Sequence, residues 1–82
     1  MTYEAYVNVM LKPGIADPQG QTIERALPAL GYEGVTDVRV GKLIELSVEA
    51  GDPREAEQKV SEMCERLLAN PVIESYEVKL RD

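Results

Sequence analysis

The sequence contains no histidine and one cysteine, and each shortage removes a class of chemistry. Without histidine there is neither an imidazole base nor an imidazole ligand for a metal ion. A single thiol, Cys64, can form neither an internal disulfide nor a zinc site. Its position inside a helical pattern indicates a small, partly buried packing residue. We therefore predict no catalytic residue, no metal site and no cofactor bound by this chain.

The glycines and carboxylates add no reactive pattern. Gly31, Gly34 and Gly41 follow neither the GxGxxG nor the Walker spacing that cradles phosphates. Glu45 and Glu49 share one strand face, which is more typical of solvent-facing charge than of an acid–base pair. The residues alone therefore predict a non-catalytic domain.

Basic residues are also few, since nine Lys and Arg face fifteen Asp and Glu, a net charge of −6. A phosphate backbone or an anionic membrane surface needs basic partners, so we expect contact with neither nucleic acid nor membrane. No apolar run approaches the roughly 20 residues of a membrane span. The first four residues lack the features of a signal peptide, and we expect a cytoplasmic protein.

The remaining composition fits one small globular domain, residues 1–82, with 44% hydrophobic and 29% charged residues. A chain of this length buries only about 60–65% of the surface that its unfolded form exposes. Self-association would therefore add stability that the single chain lacks.

Residues 35–49 form the longest stretch with strand character. Its apolar side chains fall on even positions and so share one face of an extended chain, namely Val38, Val40, Ile44, Leu46 and Val48. Two interpretations keep that parity across Gly41. Either one long strand bends there, or two strands meet in a three-residue turn from Gly41 to Leu43.

Two further stretches, residues 3–12 and 73–81, alternate as strands do. With helices between them, the element order is βαβ(β)αβ. This order predicts an α+β two-layer sandwich, in which an antiparallel sheet of three long or four strands carries two helices on one face.

The two helices begin with the same signal, Asp17-Pro18 and Asp52-Pro53, in which Asp caps the helix and Pro takes its first position. Pro28 should distort the end of the first helix, and Asn70-Pro71 should end the second. The apolar residues expected to face the sheet are Ile23, Ala26, Leu27 and Leu30 in the first helix and Ala56, Val60, Met63 and Leu67 in the second.

The other face of the sheet should remain uncovered, because two short helices can cover only one. It carries Tyr6, Met10 and Leu43 among alternating charges. Apolar atoms ringed by charge are typical of a protein interface, and free strand edges can pair with a second chain. We predict a subunit contact at these residues.

Several segments, in order and over nearly the whole chain, resemble one known family. They are Val9-x-Leu11-Lys12, Asp17-Pro18-Gln19-Gly20, Asp37-Val38-Arg39-Val40-Gly41-Lys42, Glu45-Leu46, and Met63-Cys64-Glu65-Arg66-Leu67-Leu68-Ala69-Asn70-Pro71-Val72-Ile73-Glu74-x-Tyr76. The set is similar to the PurS subunit of phosphoribosylformylglycinamidine synthase. Pro28 is not part of that pattern.

The resemblance implies a role in purine biosynthesis. A glutaminase (PurQ) would release ammonia, and a synthetase (PurL), using ATP and magnesium, would convert formylglycinamide ribonucleotide to formylglycinamidine ribonucleotide. PurS would be the small non-catalytic subunit, a homodimer or a tetramer of paired dimers, that bridges the two enzymes and assists ammonia transfer. The partner contacts expected from it are Asp17, Gln19, Gly20, Arg39, Gly41 and Lys42. The alternative is a small ligand-binding regulatory domain with a ferredoxin-like dimer fold, which rests on fold analogy.

Overall fold

The structure, a computed structural model, describes residues 1–81. Three strands, β1 (Thr2–Leu11), β2 (Gly41–Glu49) and β3 (Glu74–Leu80), form one antiparallel sheet in the order β2-β1-β3. The α-helices are α1 (Pro18–Ala26) and α2 (Pro53–Met63). This arrangement confirms the predicted α+β class with a three-stranded sheet and two helices. No helix within the described residues is long and apolar enough to cross a membrane.

The core lies between the sheet and α2. The central strand β1 places Val7 opposite Ile44 of β2 and Val78 of β3. Side chains at odd positions of β1 and even positions of its neighbours therefore point to the same face, as the alternation predicts. The buried hydrophobic residues that form this core are Ala5, Val7, Val9, Val48, Ala50, Ala56, Val60, Cys64 and Ala69.

The second helix follows its predicted stripe for two turns and then departs from it. Ala56 and Val60 are fully buried, but Leu67 is 82% exposed, so the prediction that Leu67 faces the sheet is wrong. The reason is a π-helical turn over Cys64–Leu68, which closes i→i+5 bonds and shifts the inward positions. Cys64 and Leu68 contact the core instead. Burial of Cys64 confirms its prediction as a packing residue.

The first helix ends as Pro28 predicts. The α-helix stops at Ala26, and a 3₁₀ turn over Leu27–Leu30 contains the proline. Gly31, with φ of 94°, closes this turn in a left-handed conformation that favours glycine.

Residues 35–40 are not part of the sheet, which contradicts both interpretations of the central stretch. β2 begins at Gly41, opposite Met10, and β1 ends one residue later at Leu11. Residues before Gly41 therefore have almost no strand left to pair with. The backbone amides of Val38 and Val40 are bonded instead by the side chains of Glu24 in α1 and of its cap, Asp17, described below.

The first helix extends away from the sheet and contacts its strands at most marginally. The molecule measures 51 × 27 × 14 Å, and its radius of gyration of 16.3 Å exceeds the roughly 12 Å of a compact domain this size. Within one chain, α2 is therefore the helix that covers the sheet. The predicted inward stripe of α1 has no sheet beneath it, and Ile23 and Leu30 are exposed.

Candidate functional site

The start of α1 and residues 38–42 meet at one point, which we call the junction. The carboxylate of Asp17 joins them, because Oδ1 accepts a hydrogen bond from the Gly20 amide (3.0 Å) and Oδ2 accepts one from the Val40 amide (2.8 Å). The hydrogen bond from the Gly20 amide lowers the pKa of Asp17 below its usual value of 3.8, and the bond from the Val40 amide, a smaller contribution, lowers it further. The predicted helix cap therefore also anchors a distant segment.

Two more side chains secure the same segment. Glu24 of α1 accepts a hydrogen bond from the Val38 amide at 3.0 Å. The guanidinium of Arg39 donates to the backbone carbonyl of Leu11 at the end of β1. Residues 38–40 are thus bonded to α1 and to β1 without strand pairing, and the backbone amides that a sheet would have used are satisfied.

The glycines of the junction allow close backbone contact. A Cβ atom on Gly20 would lie 2.5 Å from the carbonyl oxygen of Val38, and one on Gly41 would lie 2.5 Å from that of Val9. It would also collide with the sulfur of Met10. Any larger residue at either position would push the segments apart, so these two predicted site residues shape the junction through their small size.

A cleft of about 300 Å³ opens at the junction. Gln19 and Lys42 are exposed at its wall, and Asp17 and Gly41 also line it. Glu74, the first residue of β3, contributes a carboxylate that the sequence did not predict, since it reaches the cleft by pairing with Leu11. Six predicted partner contacts therefore lie together here: Asp17, Gln19, Gly20, Arg39, Gly41 and Lys42.

The other three predicted residues, Tyr6, Met10 and Leu43, lie on the sheet face opposite α2, which we call the open face. The guanidinium of Arg81 lies 5.5 Å from the ring centroid of Tyr6 and pairs with Glu45, the neighbour of Tyr6 in register. Tyr6 is thus flanked by charge. Met10 and Leu43 lie at the end of the sheet nearest the junction, and Leu43 is exposed.

A third surface was not predicted. The arm, residues 15–35, comprises α1, the 3₁₀ turn and their flanks. Leu30 is 72% and Tyr32 61% exposed, and further exposed apolar residues of the arm are Ile15, Ile23 and Val35. Sequence periodicity found the stripe but not its exposure, because periodicity does not report which surface a helix packs against.

Within residues 1–81 no three or more Cys, Asp or Glu side chains come together in a group that could hold a metal ion. Burial, and then the neighbouring charge of Glu65, raises the pKa of the Cys64 thiol, which disfavours the nucleophilic thiolate. What the structure presents is an acid-capped junction with an exposed lysine, an open face and an apolar arm.

Comparison with known proteins places this chain among close relatives. Residues 4–82 match the family model described as PurS, phosphoribosylformylglycinamidine (FGAM) synthase. The chain is 47% identical to a phosphoribosylformylglycinamidine synthase subunit PurS of Synechocystis sp., over 92% of this chain and 75% of that protein.

Solved structures agree over nearly the full length. The crystal structure of Methanocaldococcus jannaschii PurS, a subunit of formylglycinamide ribonucleotide amidotransferase in the purine biosynthetic pathway, has a TM-score of 0.86 and 41% identity, covering 98% of this chain and 96% of that one. A chain in the structure of PurLQS from Thermotoga maritima has a TM-score of 0.90 and 38% identity, covering 99% of both chains.

Proposed function

The chain belongs to the PurS family and is a PurS subunit of phosphoribosylformylglycinamidine synthase, and from this premise we propose that it is the non-catalytic bridge between the glutaminase PurQ and the synthetase PurL. In this role it assists the passage of ammonia from one enzyme to the other. PurL, with ATP and magnesium, then converts formylglycinamide ribonucleotide to formylglycinamidine ribonucleotide.

The observation that carries the first step of this proposal, self-association of the chain, is the exposed arm. A 51 Å long chain whose first helix finds no sheet of its own leaves a row of apolar side chains in water. A small protein gains stability when such a row is covered by a second protein. The structure of PurLQS, which contains a chain of the same fold, supports PurL and PurQ as the proteins that such an assembly would bridge.

We assign the arm to self-association. We place Met10 and Leu43, at the end of the open face nearest the junction, in the same contact as the exposed Leu30 and Tyr32 of the arm. A homodimer that covers this surface, with Tyr6 at its margin, would supply core contacts that α1 lacks within one chain. Two copies would also provide two junctions, one for each enzyme.

We assign the junction to the enzyme partners. Its shape is held by carboxylate–amide bonds that are already satisfied, so a partner meets a preformed surface and loses little entropy on docking. Gln19 and Lys42 remain exposed for contact. A sealed contact around the cleft would keep ammonia out of bulk water, which is the physical requirement for its transfer.

Lys42→Glu tests this assignment. Lys42 is exposed, and its side chain forms no hydrogen bond or ion pair within residues 1–81, so reversal of its charge should leave the fold intact. It should weaken binding to PurL and PurQ about tenfold, as loss of a charge contact at an interface does. Co-purification and glutamine-dependent activity of the reconstituted complex are the readouts. Arg54→Glu, the same reversal at the exposed start of α2, is the matched control.

Full glutamine-dependent activity with Lys42→Glu would remove the junction from the enzyme contact. Full activity of PurL and PurQ without this chain would remove the bridging role altogether. Activity with added ammonium salt should be normal for the variant, because the synthetase itself is unchanged.

A further inference from the structure

The cleft at the junction combines an apolar lining with charged groups. Its apolar and charged lining residues include Val9, Leu11 and Val40, and Asp17, Lys42 and Glu74. Its volume of about 300 Å³ lies at the lower limit of cavities that hold small-molecule ligands. A single side chain of another protein therefore fits the cleft better than a whole nucleotide substrate does.

The three charged residues of the cleft differ in what they already bind. Both oxygens of the Asp17 carboxylate accept backbone amides, so this group maintains the shape of the junction. Lys42 is exposed and is assigned to contact with an enzyme. Glu74 is the remaining charge, and it is half-buried. Because two carboxylates face one lysine, the potential in the cleft favours a cation.

The carboxylate of Glu74 is held in place by the turn that precedes β3. Its Oε1 accepts a hydrogen bond from the Asn70 amide at 2.6 Å, and the Glu74 amide donates to the Asn70 carbonyl at 2.7 Å. The Lys12 amine donates to the Pro71 carbonyl at 2.6 Å, and the Lys12 amide donates to the Ile73 carbonyl at 2.8 Å. These bonds fasten the turn to the end of β1, so the carboxylate is positioned before any partner arrives.

The second carboxylate oxygen of Glu74 still has capacity for a donor. Within residues 1–81, Oε2 of Glu74 forms no hydrogen bond, and no lysine or arginine forms an ion pair with this residue. A half-buried carboxylate has lost part of its hydration, and a charge-assisted hydrogen bond from a cation compensates for that loss. The position, the charge and the hydrogen-bonding capacity of Glu74 all suit a cationic donor from outside the chain.

We propose that the cleft receives a basic side chain, lysine or arginine, from the enzyme that docks at the junction. The aliphatic stem of that side chain packs on Val9, Leu11 and Val40, and its cationic end donates to Oε2 of Glu74. Lys42 then meets an acidic group of the same enzyme, so the contact contains charge pairs of both senses, which favours one orientation of docking. The inference rests on the proposed function of the junction and specifies the chemistry of the residue inserted there.

Glu74→Gln removes the charge and keeps the turn. The glutamine oxygen can still accept from the Asn70 amide, but the side chain is neutral, so affinity for the docked enzyme should fall about tenfold. Calorimetric titration of this chain into PurL, PurQ and their mixture is the measurement, and protection of the Asn70 amide from hydrogen exchange verifies the turn. Glu57→Gln is the matched control, since Glu57 is exposed on α2 and forms no hydrogen bond or ion pair within residues 1–81.

The salt dependence of binding separates the charge of Glu74 from its structural role. Affinity of the unaltered chain should fall as ionic strength rises, and that of Glu74→Gln should fall less steeply, because one charge pair is gone. Asn70→Ala removes the side-chain bond to the Val72 amide and so loosens the turn, but the Glu74 carboxylate remains. Its affinity should be lower by the same factor at every salt concentration. A salt dependence in Glu74→Gln as steep as that of the unaltered chain would overturn the proposal.

Failure of this inference is distinguishable from failure of the proposed function. Unchanged binding in Glu74→Gln together with weakened binding in Lys42→Glu would exclude the inserted side chain and leave the junction as the enzyme contact. Unchanged binding in both variants would exclude the junction itself. Unchanged binding of Glu74→Gln with reduced glutamine-dependent activity would show that the cleft holds ammonium in transit, which would also overturn the insertion of a basic side chain.

Discussion

The two helices of this protein begin in the same way and end in different surroundings. In each, Asp accepts a hydrogen bond from the amide three residues later, at Gly20 (3.0 Å) and at Glu55 (2.8 Å), and Pro takes the first helical position. α2 nevertheless covers the core, whereas α1 extends from the sheet with its apolar residues exposed. The two helices therefore share the same capping signal, but one packs on the core and the other does not.

The difference lies in the connections. α2 follows β2 after three residues, and Ala50 within that link still pairs with Met1, so the chain folds directly back over the sheet. α1 is reached after six residues from β1, and its return segment is bonded to Asp17 and Glu24 of the arm. A capping signal therefore determines where a helix starts, and the linking segments determine what it packs against.

The largest difference between the two helices should appear in the free energy of unfolding, when Val60→Ala is compared with Ile23→Ala. Val60, a residue of α2, is fully buried, so its truncation leaves a cavity and should lower the free energy of unfolding by roughly 2 kcal/mol. Ile23 loses more atoms but is 44% exposed, and its truncation should cost under about 1 kcal/mol. Urea unfolding at low protein concentration measures both.

Equal losses in these two variants would contradict the contrast, because they would mean that the arm is packed as well as α2. Repeating the unfolding measurements at several protein concentrations provides the control. If the arm is covered in a dimer, the cost of Ile23→Ala should grow with protein concentration, whereas that of Val60→Ala should not depend on coverage of the arm.

The next effect compares two exposed leucines, one on each helical region. Leu30→Glu in the arm should weaken self-association about tenfold, because it places a charge in the proposed apolar contact. Leu67→Glu at the end of the second helical region, where the leucine is 82% exposed, should leave association unchanged. Light scattering across a dilution series distinguishes them, and a silent Leu30→Glu would exclude the arm from the dimer contact.

Much of the fold could be predicted because its signals are local. Alternation in residues 3–12 and 73–81, the two Asp-Pro starts and the proline at position 28 each act within a few residues of the structure they determine. The class, the strand pairing type and the distorted end of α1 follow from such signals.

Residues 35–40 show where local reading fails. Val38 and Val40 have the parity of a strand, but their amides bond to Glu24 and Asp17, which lie 14 and 23 residues earlier. The exposure of Leu67 had a similar cause, since the π turn that shifts the stripe leaves no mark in apolar spacing. The periodicity of apolar residues contains neither the long-range bonds of residues 38–40 nor the π turn.

The candidate site was predicted in its residues but not in its geometry. The resemblance selected Asp17, Gln19, Gly20, Arg39, Gly41 and Lys42, and the structure brings all six to the junction. The residues were assigned to partner contact, and the structure shows that some of them also build the surface. Asp17 bonds two amides, and the glycines allow close approach, so their effects on binding would be indirect.

The smallest effect is local and compares the two capping carboxylates. In Asp17→Asn the amide oxygen can still accept from Gly20, but the NH₂ group cannot accept from Val40, so the junction loses one bond and α1 keeps its cap. Because these bonds lower the pKa of Asp17 below 3.8, its charged form stabilises the junction above that pH. The contribution is lost as the pH falls through the lower, folded pKa.

Amide chemical shifts recorded from pH 7 to pH 2 should therefore show Gly20 and Val40 changing together, with a midpoint below 3.8. In Asp17→Asn this shared transition should disappear and the Val40 amide should already differ at pH 7. Asp52→Asn, at the cap of α2, should leave it unchanged, since Asp52 bonds Glu55 and no residue of the junction. Persistence of the Val40 transition in Asp17→Asn would show that another carboxylate holds residues 38–40 against the arm, and the two caps would then differ only in the helices that they start.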